Sequence, residues 1–121
     1  MDMFKTAQSS QATNDVLRGH TDAIILNILR SRDQYGYEIA KQIYERSRHQ
    51  YEIKEPTMYS CLKRLEKNGY VTSYWGDESE GGRRKYYKIS NTGKLMLEEH
   101  LNDWEKAQKI LKDLLKETHG K

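Results

Sequence analysis

Apolar residues along this chain recur first at helical spacing, then at every second position, then at helical spacing again. From Thr21, the segment DAIILNILRS puts apolar side chains at 24, 25, 28 and 29, which turns one helix face inward. Thr21 offers a side-chain oxygen where an N-cap needs one, and Asp22 adds a carboxylate to the first turn. Gly36 opens YEIAKQIYERS, where Ile39, Ala40, Ile43 and Tyr44 repeat at three and four and leave Glu38, Lys41, Gln42, Glu45 and Arg46 outside. A third helix begins at Pro56, tolerated in a first turn, and runs through TMYSCLKRLEKN to Gly69, a natural stop. Met58, Cys61, Leu62 and Leu65 form its inward face. Thr57, Ser60, Lys63, Arg64 and Lys67 form the outward one, with Tyr59 at the edge.

The period then changes. YVTSYW and RRKYYKI are short runs rich in Tyr, Val, Thr and Trp, separated by GDESEGG with the glycines a turn requires, and they predict a β-hairpin. From Ser90 or Asn91 a last helix is expected to reach about Glu117, some ~40 Å at 1.5 Å per residue. Leu97, Leu101, Trp104, Ala107, Leu111 and Leu114 make a near-heptad stripe along it, widened by Ile110 and Leu115. The small body before it cannot cover so long a stripe, which therefore needs a partner. The fold class is mainly α with a β-hairpin. Residues 1–13 are a flexible arm that joins a helix near Ala12, 14–90 a winged helix-turn-helix, 91–117 a C-terminal dimerisation helix and 118–121 a disordered tail.

Length and composition narrow the function. At 121 residues the chain holds one modest core, which disfavours a multidomain enzyme. A mean hydropathy of -1.01 marks a polar chain, yet nine Tyr, two Trp and one Phe are more aromatic surface than disordered segments usually carry. The net charge of +3 is only mildly basic, so a case for nucleic acid rests on where cations cluster. One Cys cannot form an internal disulfide, no apolar run is long enough to span a membrane, and MDMFKTAQSS lacks a secretory pattern; a cytoplasmic location is the expectation. His20, His49, His100 and His119 show no ligand spacing and are assigned to the surface, so neither a metal nor another cofactor is expected. Nothing resembles a catalytic Ser, His and Asp set or a phosphate-binding glycine loop, and no enzymatic activity is expected. Cys61, on an inward face, reads as a small buried hydrophobe, with a redox sensor as the sharper alternative.

Two clusters carry candidate chemistry. Arg83, Arg84 and Lys85 stand where the hairpin loop enters its second strand, where they either neutralise DNA phosphates or are a solvated strand end. Asp77, Glu78 and Glu80 beside them cannot lie against phosphate without cost, so they should point away or pair with the arginines. The hydroxyl-and-cation face of the third helix is either a DNA-reading surface or ordinary helix exterior, and its position next to a basic hairpin favours the former. Trp104 is either a dimer-core side chain or one face of a platform for a flat aromatic guest, with its symmetry mate as the other.

YGYEIAKQI, PTMYSCLKRLEKNGYV, GGRRKYYKIS and the downstream TGK resemble the PadR family of bacterial winged-helix repressors over nearly all of residues 14–117. The single C-terminal helix, SYWGDESEGGRRKYY and the Trp within the last helix are most similar to small multidrug-responsive members of the LmrR type. The resemblance implies a homodimer joined through N- and C-terminal helices, bound to palindromic operator DNA and repressing an efflux or stress gene together with its own. It implies DNA contact by Tyr59 with Thr57, Ser60, Lys63 and Arg64 on the third helix and by Arg83, Arg84 and Lys85 on the wing, to which the outward face of that helix adds Lys67 as a candidate. It further implies a drug pocket of Leu101, Trp104, Ala107 and Gln108 with Val16, Leu17, Ala23 and Asn27 from the N-terminal side.

Three functional classes follow: a repressor relieved by a planar aromatic or cationic drug, a DNA-binding regulator without such an effector, and a winged-helix protein-interaction module. The basic third helix beside a basic wing argues against the last.

Overall fold

The computed structural model describes residues 10–77 and 82–118. Helix α1 (Gln11–Arg18) is capped by Ser10, whose Oγ accepts the Thr13 N–H at 3.2 Å, so residues 11–13, expected in the arm, belong to a helix. Helix α2 (Thr21–Leu29) follows after Gly19 and His20. Thr21 is not its N-cap: His20 holds that position, and Thr21 Oγ1 instead donates to the Arg18 carbonyl at 3.0 Å, tying α2 to the end of α1. Ile25, Leu26, Ile28 and Leu29 point into the core.

Strand β1 (Gln34–Tyr35) leads directly into α3 (Gly36–Arg46), and α4 (Glu55–Lys67) ends at Asn68 and Gly69, whose φ of +80° favours glycine. The hairpin is β2 (Val71–Trp75) with β3 (Lys85–Ile89), paired from Val71↔Ile89 to Trp75↔Lys85. The sheet has a third member. β1 pairs antiparallel with the other edge of β3, Gln34 opposite Tyr87 and Tyr35 opposite Tyr86, giving the order β1-β3-β2. Gln34 is fully buried and its polar atoms are matched: Nε2 donates to the Ile28 and Arg32 carbonyls, and Oε1 accepts from Gln42.

The core gathers the inward faces named from the sequence, with Ile39, Met58, Leu62 and Leu65 under α2 and Val71, Tyr87 and Ile89 closing the sheet side. Cys61 is buried as a free thiol within it. Helix α5 (Asn91–Leu115) is capped by Ser90, whose Oγ accepts the Gly93 N–H at 3.0 Å and donates to the Gly69 carbonyl at 2.6 Å. Leu97 is wholly buried against the body, a contribution of about 1.5–3 kcal/mol. Beyond it the apolar side chains become exposed, Leu101 and Trp104 beside α1 and α2 and Ile110, Leu111, Leu114 and Leu115 further along. The helix stops at Leu115, short of the expected Glu117, as Lys116 turns to an extended conformation.

Candidate nucleic-acid interface

The outward residues of α4, Thr57, Tyr59, Ser60, Lys63, Arg64 and Lys67, are all exposed on one face. Across from them the wing base presents Arg83 and Arg84 exposed and Lys85 half-buried. Between the two lies a cleft of about 770 Å³, where Tyr59 and Lys63 from α4 meet Arg83, Arg84 and Lys85 over a floor of Tyr35, Tyr37, Trp75 and Tyr87. Among the described residues, four cations face it against a single carboxylate, Glu66, which accepts a hydrogen bond from Ser73 Oγ at 2.5 Å. That balance suits a phosphate backbone.

The wing cations are held by rings. The Arg83 guanidinium lies 5.2 Å from the Trp75 ring centroid, Arg84 4.9 Å from Tyr35, and the Lys85 ammonium 6.0 Å from Tyr87. Stacking of this kind limits rotamer freedom without itself neutralising charge. Partial burial, then the nearby Glu55 carboxylate and Tyr35, push the Tyr59 phenol above its ordinary pKa, which keeps it a hydrogen-bond donor. Arg64 is placed differently. Its guanidinium forms an ion pair with Asp22 on α2, and that hydrogen bond raises its pKa further. Thr57, Ser60 and Lys67 lie on the same helix face but outside the cleft. Asp77 is exposed, while Glu78 and Glu80 lie outside the described residues. Tyr35, Tyr37 and Trp75 were not singled out from the sequence as interface residues; the repeated tyrosines flanking Gly36 were the available signal.

A second concavity, of about 360 Å³, lies where α1, α2 and α5 meet. It brings together Val16, Leu17, Ala23, Asn27, Leu101 and Trp104, as the resemblance implied, and adds Ile24, His20 and His100. Ala107 and Gln108 are not part of it: they lie about a turn further along α5, where that helix has left the body, and Gln108 borders a separate depression with Leu111 and Leu115. The surface assignment of His20 and His100 needs correction. Both are half-buried, with His20 Nδ1 2.9 Å from His100 Nε2, and His20 sits edge-on to Trp104 at 6.2 Å. His49 is exposed and stacks on Tyr44 at 4.5 Å, and His119 lies outside the described residues. Among the described residues, no three His, Cys, Asp or Glu side chains are grouped to hold a metal ion, and no helix is long and apolar enough to cross a membrane.

Helices α2, α3 and α4 with the three-stranded sheet, and a cationic wing facing a polar helix, define a winged helix-turn-helix protein of the DNA-binding class. The chain belongs to the PadR-like family of transcriptional regulators, whose sequence model matches residues 25–99. A transcriptional regulator from Clostridium thermocellum is 44% identical, covering 84% of this chain and 96% of its own, with a TM-score of 0.77. A PadR family transcription regulator from Clostridium difficile is 43% identical over 81% of this chain and all of its own length, with a TM-score of 0.73. A protein from Lysinibacillus sphaericus is also 43% identical, over 81% of this chain and 90% of that one. The family and these structural neighbours are transcriptional regulators rather than enzymes.

Proposed function

We propose that this DNA-binding regulator is a dimeric repressor that grips a palindromic operator with α4 in the major groove and the wing base on the flanking backbone. The convergence of Lys63 and Tyr59 with Arg83, Arg84 and Lys85 on one cleft carries this reading. Thr57, Ser60 and Lys67 extend the same face along α4. The second protomer covers the exposed stripe of α5 together with Val16 of α1, since so much apolar surface on a 25-residue helix is costly to leave in water. The regulated genes are those of an efflux transporter or a stress response, and the chain's own.

The cavity beside Trp104 supports a further element, relief of repression by a flat aromatic compound. Trp104 is 46% exposed at its mouth and offers a ring face, while no carboxylate among the described residues lines the space, so stacking rather than ion pairing governs entry. The guest acts only through its preference for the free dimer over the operator-bound one.

The test is an electrophoretic shift with the DNA upstream of the chain's own gene, measured over a series of salt concentrations. Replacing Arg83 and Arg84 with Ala should weaken specific and non-specific binding alike and flatten the salt slope by about two units. Unchanged affinity and slope in that variant would remove the wing from the interface. Absence of any shift by the wild-type protein would leave the interaction-module class in its place.

A further inference from the structure

Gly36 is the first residue of α3 and is buried, yet its backbone does not demand glycine: the positive φ values at glycine among the described residues belong to Gly69 and Gly82. What Gly36 lacks is room. A Cβ built there would lie 2.9 Å from Cε1 of Tyr59, 3.2 Å from its Cζ and 3.3 Å from its hydroxyl oxygen, and those are the nearest atoms it would meet. The hydroxyl-bearing end of the Tyr59 ring therefore rests on the bare Cα of Gly36.

The adjoining residue serves the other half of the cleft. Tyr35 pairs with Tyr86 across the β1–β3 ladder, meets its ring edge-on at 5.6 Å, and carries the Arg84 guanidinium over its own ring at 4.9 Å. One dipeptide step thus touches the recognition-helix tyrosine on one side and a wing cation on the other. We infer that Gly36 is a positioning residue for DNA binding: resting on the operator-binding reading above, it sets where the Tyr59 hydroxyl stands relative to Arg84, although Gly36 itself has no side chain to touch DNA.

Substitution at this position separates binding from folding. Tyr59 is 44% exposed, so its ring can swing toward solvent when a methyl group takes its seat, and alanine is otherwise a better helix residue than glycine. Gly36→Ala is expected to melt no lower than wild type while binding operator about tenfold more weakly, the size of one lost hydrogen bond to a charged group. In a Tyr59→Ala background the space is vacant, and adding Gly36→Ala should cost no further affinity.

Wild-type-like binding by Gly36→Ala overturns the inference while leaving the operator-binding reading intact, and so does a further loss when it is added to Tyr59→Ala. If Gly36→Ala alone fails to fold, the double variant decides: recovery of the fold supports the seat, and continued unfolding shows that atoms other than Tyr59 claim the space. A wild-type protein that shifts no DNA overturns both readings together.

Discussion

Gly93 lies within the first turn of α5, buried where that helix crosses the end of α4 and the start of β2. A Cβ at this position would lie 2.2 Å from the Tyr70 carbonyl oxygen and 2.9 Å from Cγ1 of Ile89. The first contact is about 0.8 Å short of the 3.0 Å below which real Cβ contacts are essentially never seen, and its partner is backbone that cannot rotate away. Gly93→Ala must therefore push α5 off the body. Forced overpacking costs about 1–3 kcal/mol. The same shift strains the cap, where Ser90 accepts from the Gly93 N–H and its own N–H donates to the Tyr70 carbonyl at 3.0 Å, at about 1 kcal/mol more. Alanine's helix preference returns at most about 1 kcal/mol. The net loss is about 1–3 kcal/mol, or roughly 5–20 °C in Tm for a domain of this size. Urea unfolding followed by circular dichroism, at matched protein concentration, should show a lower midpoint with an unchanged slope. A variant as stable as wild type would refute the reasoning. Gly36→Ala, where the obstacle is a movable ring, provides the contrast in sign.

If a second chain covers the exposed α5 stripe as proposed, replacing Leu101 and Leu111 with Glu should yield a monomer of lower stability, because folding and association would share that surface. Sedimentation at micromolar concentration checks this, and a well-folded wild-type monomer would contradict it. Trp104→Ala should lose binding of flat aromatic cations, read by fluorescence or calorimetry, and operator should weaken such binding to wild type; equal binding by the variant places the site elsewhere, and indifference to operator removes its role as a switch. Burial, with lesser contributions from Glu66 and Tyr59, raises the Tyr87 phenol above its ordinary 10.0, so the unfolded chain ionises first; stability is whole below that value and falls as pH rises through the folded-state pKa. Urea midpoints at about pH 9 and pH 11 should therefore differ less in Tyr87→Phe than in wild type, and an identical decline in both would discount this residue.

Much of the body was legible because its helices obey their period: Ile39, Ala40, Ile43 and Tyr44, like Met58, Cys61, Leu62 and Leu65, are buried as their spacing predicts. Strand β1 was not, since two residues cannot display an alternation and one of them is a buried glutamine satisfied by carbonyls that only the fold supplies. The contact of His20 with His100 spans 80 positions and leaves no local trace, which is why both were assigned to the surface. Charge patterning marked Lys63 and Arg64 as equivalents, whereas Asp22, on another helix, distinguishes them by pairing with Arg64. The glycine before Tyr37 read as a helix start, and its contact with Tyr59 emerges only once α3 and α4 are packed.

The central place of β3 bears on how the protein is made. A chain synthesised from its N-terminus presents α2, α3, α4 and β1 well before Tyr87 and Ile89 exist to close them, and Leu97 comes later still. Until then Gln34 has no ladder partner, and the core has no sheet over one side. A transcript broken ahead of β3 would thus give a fragment that carries α4, the helix proposed to read DNA, without the strand that closes the sheet beside it. Such a fragment would present its apolar faces to proteases, and the last strand to be made is the one that closes the sheet.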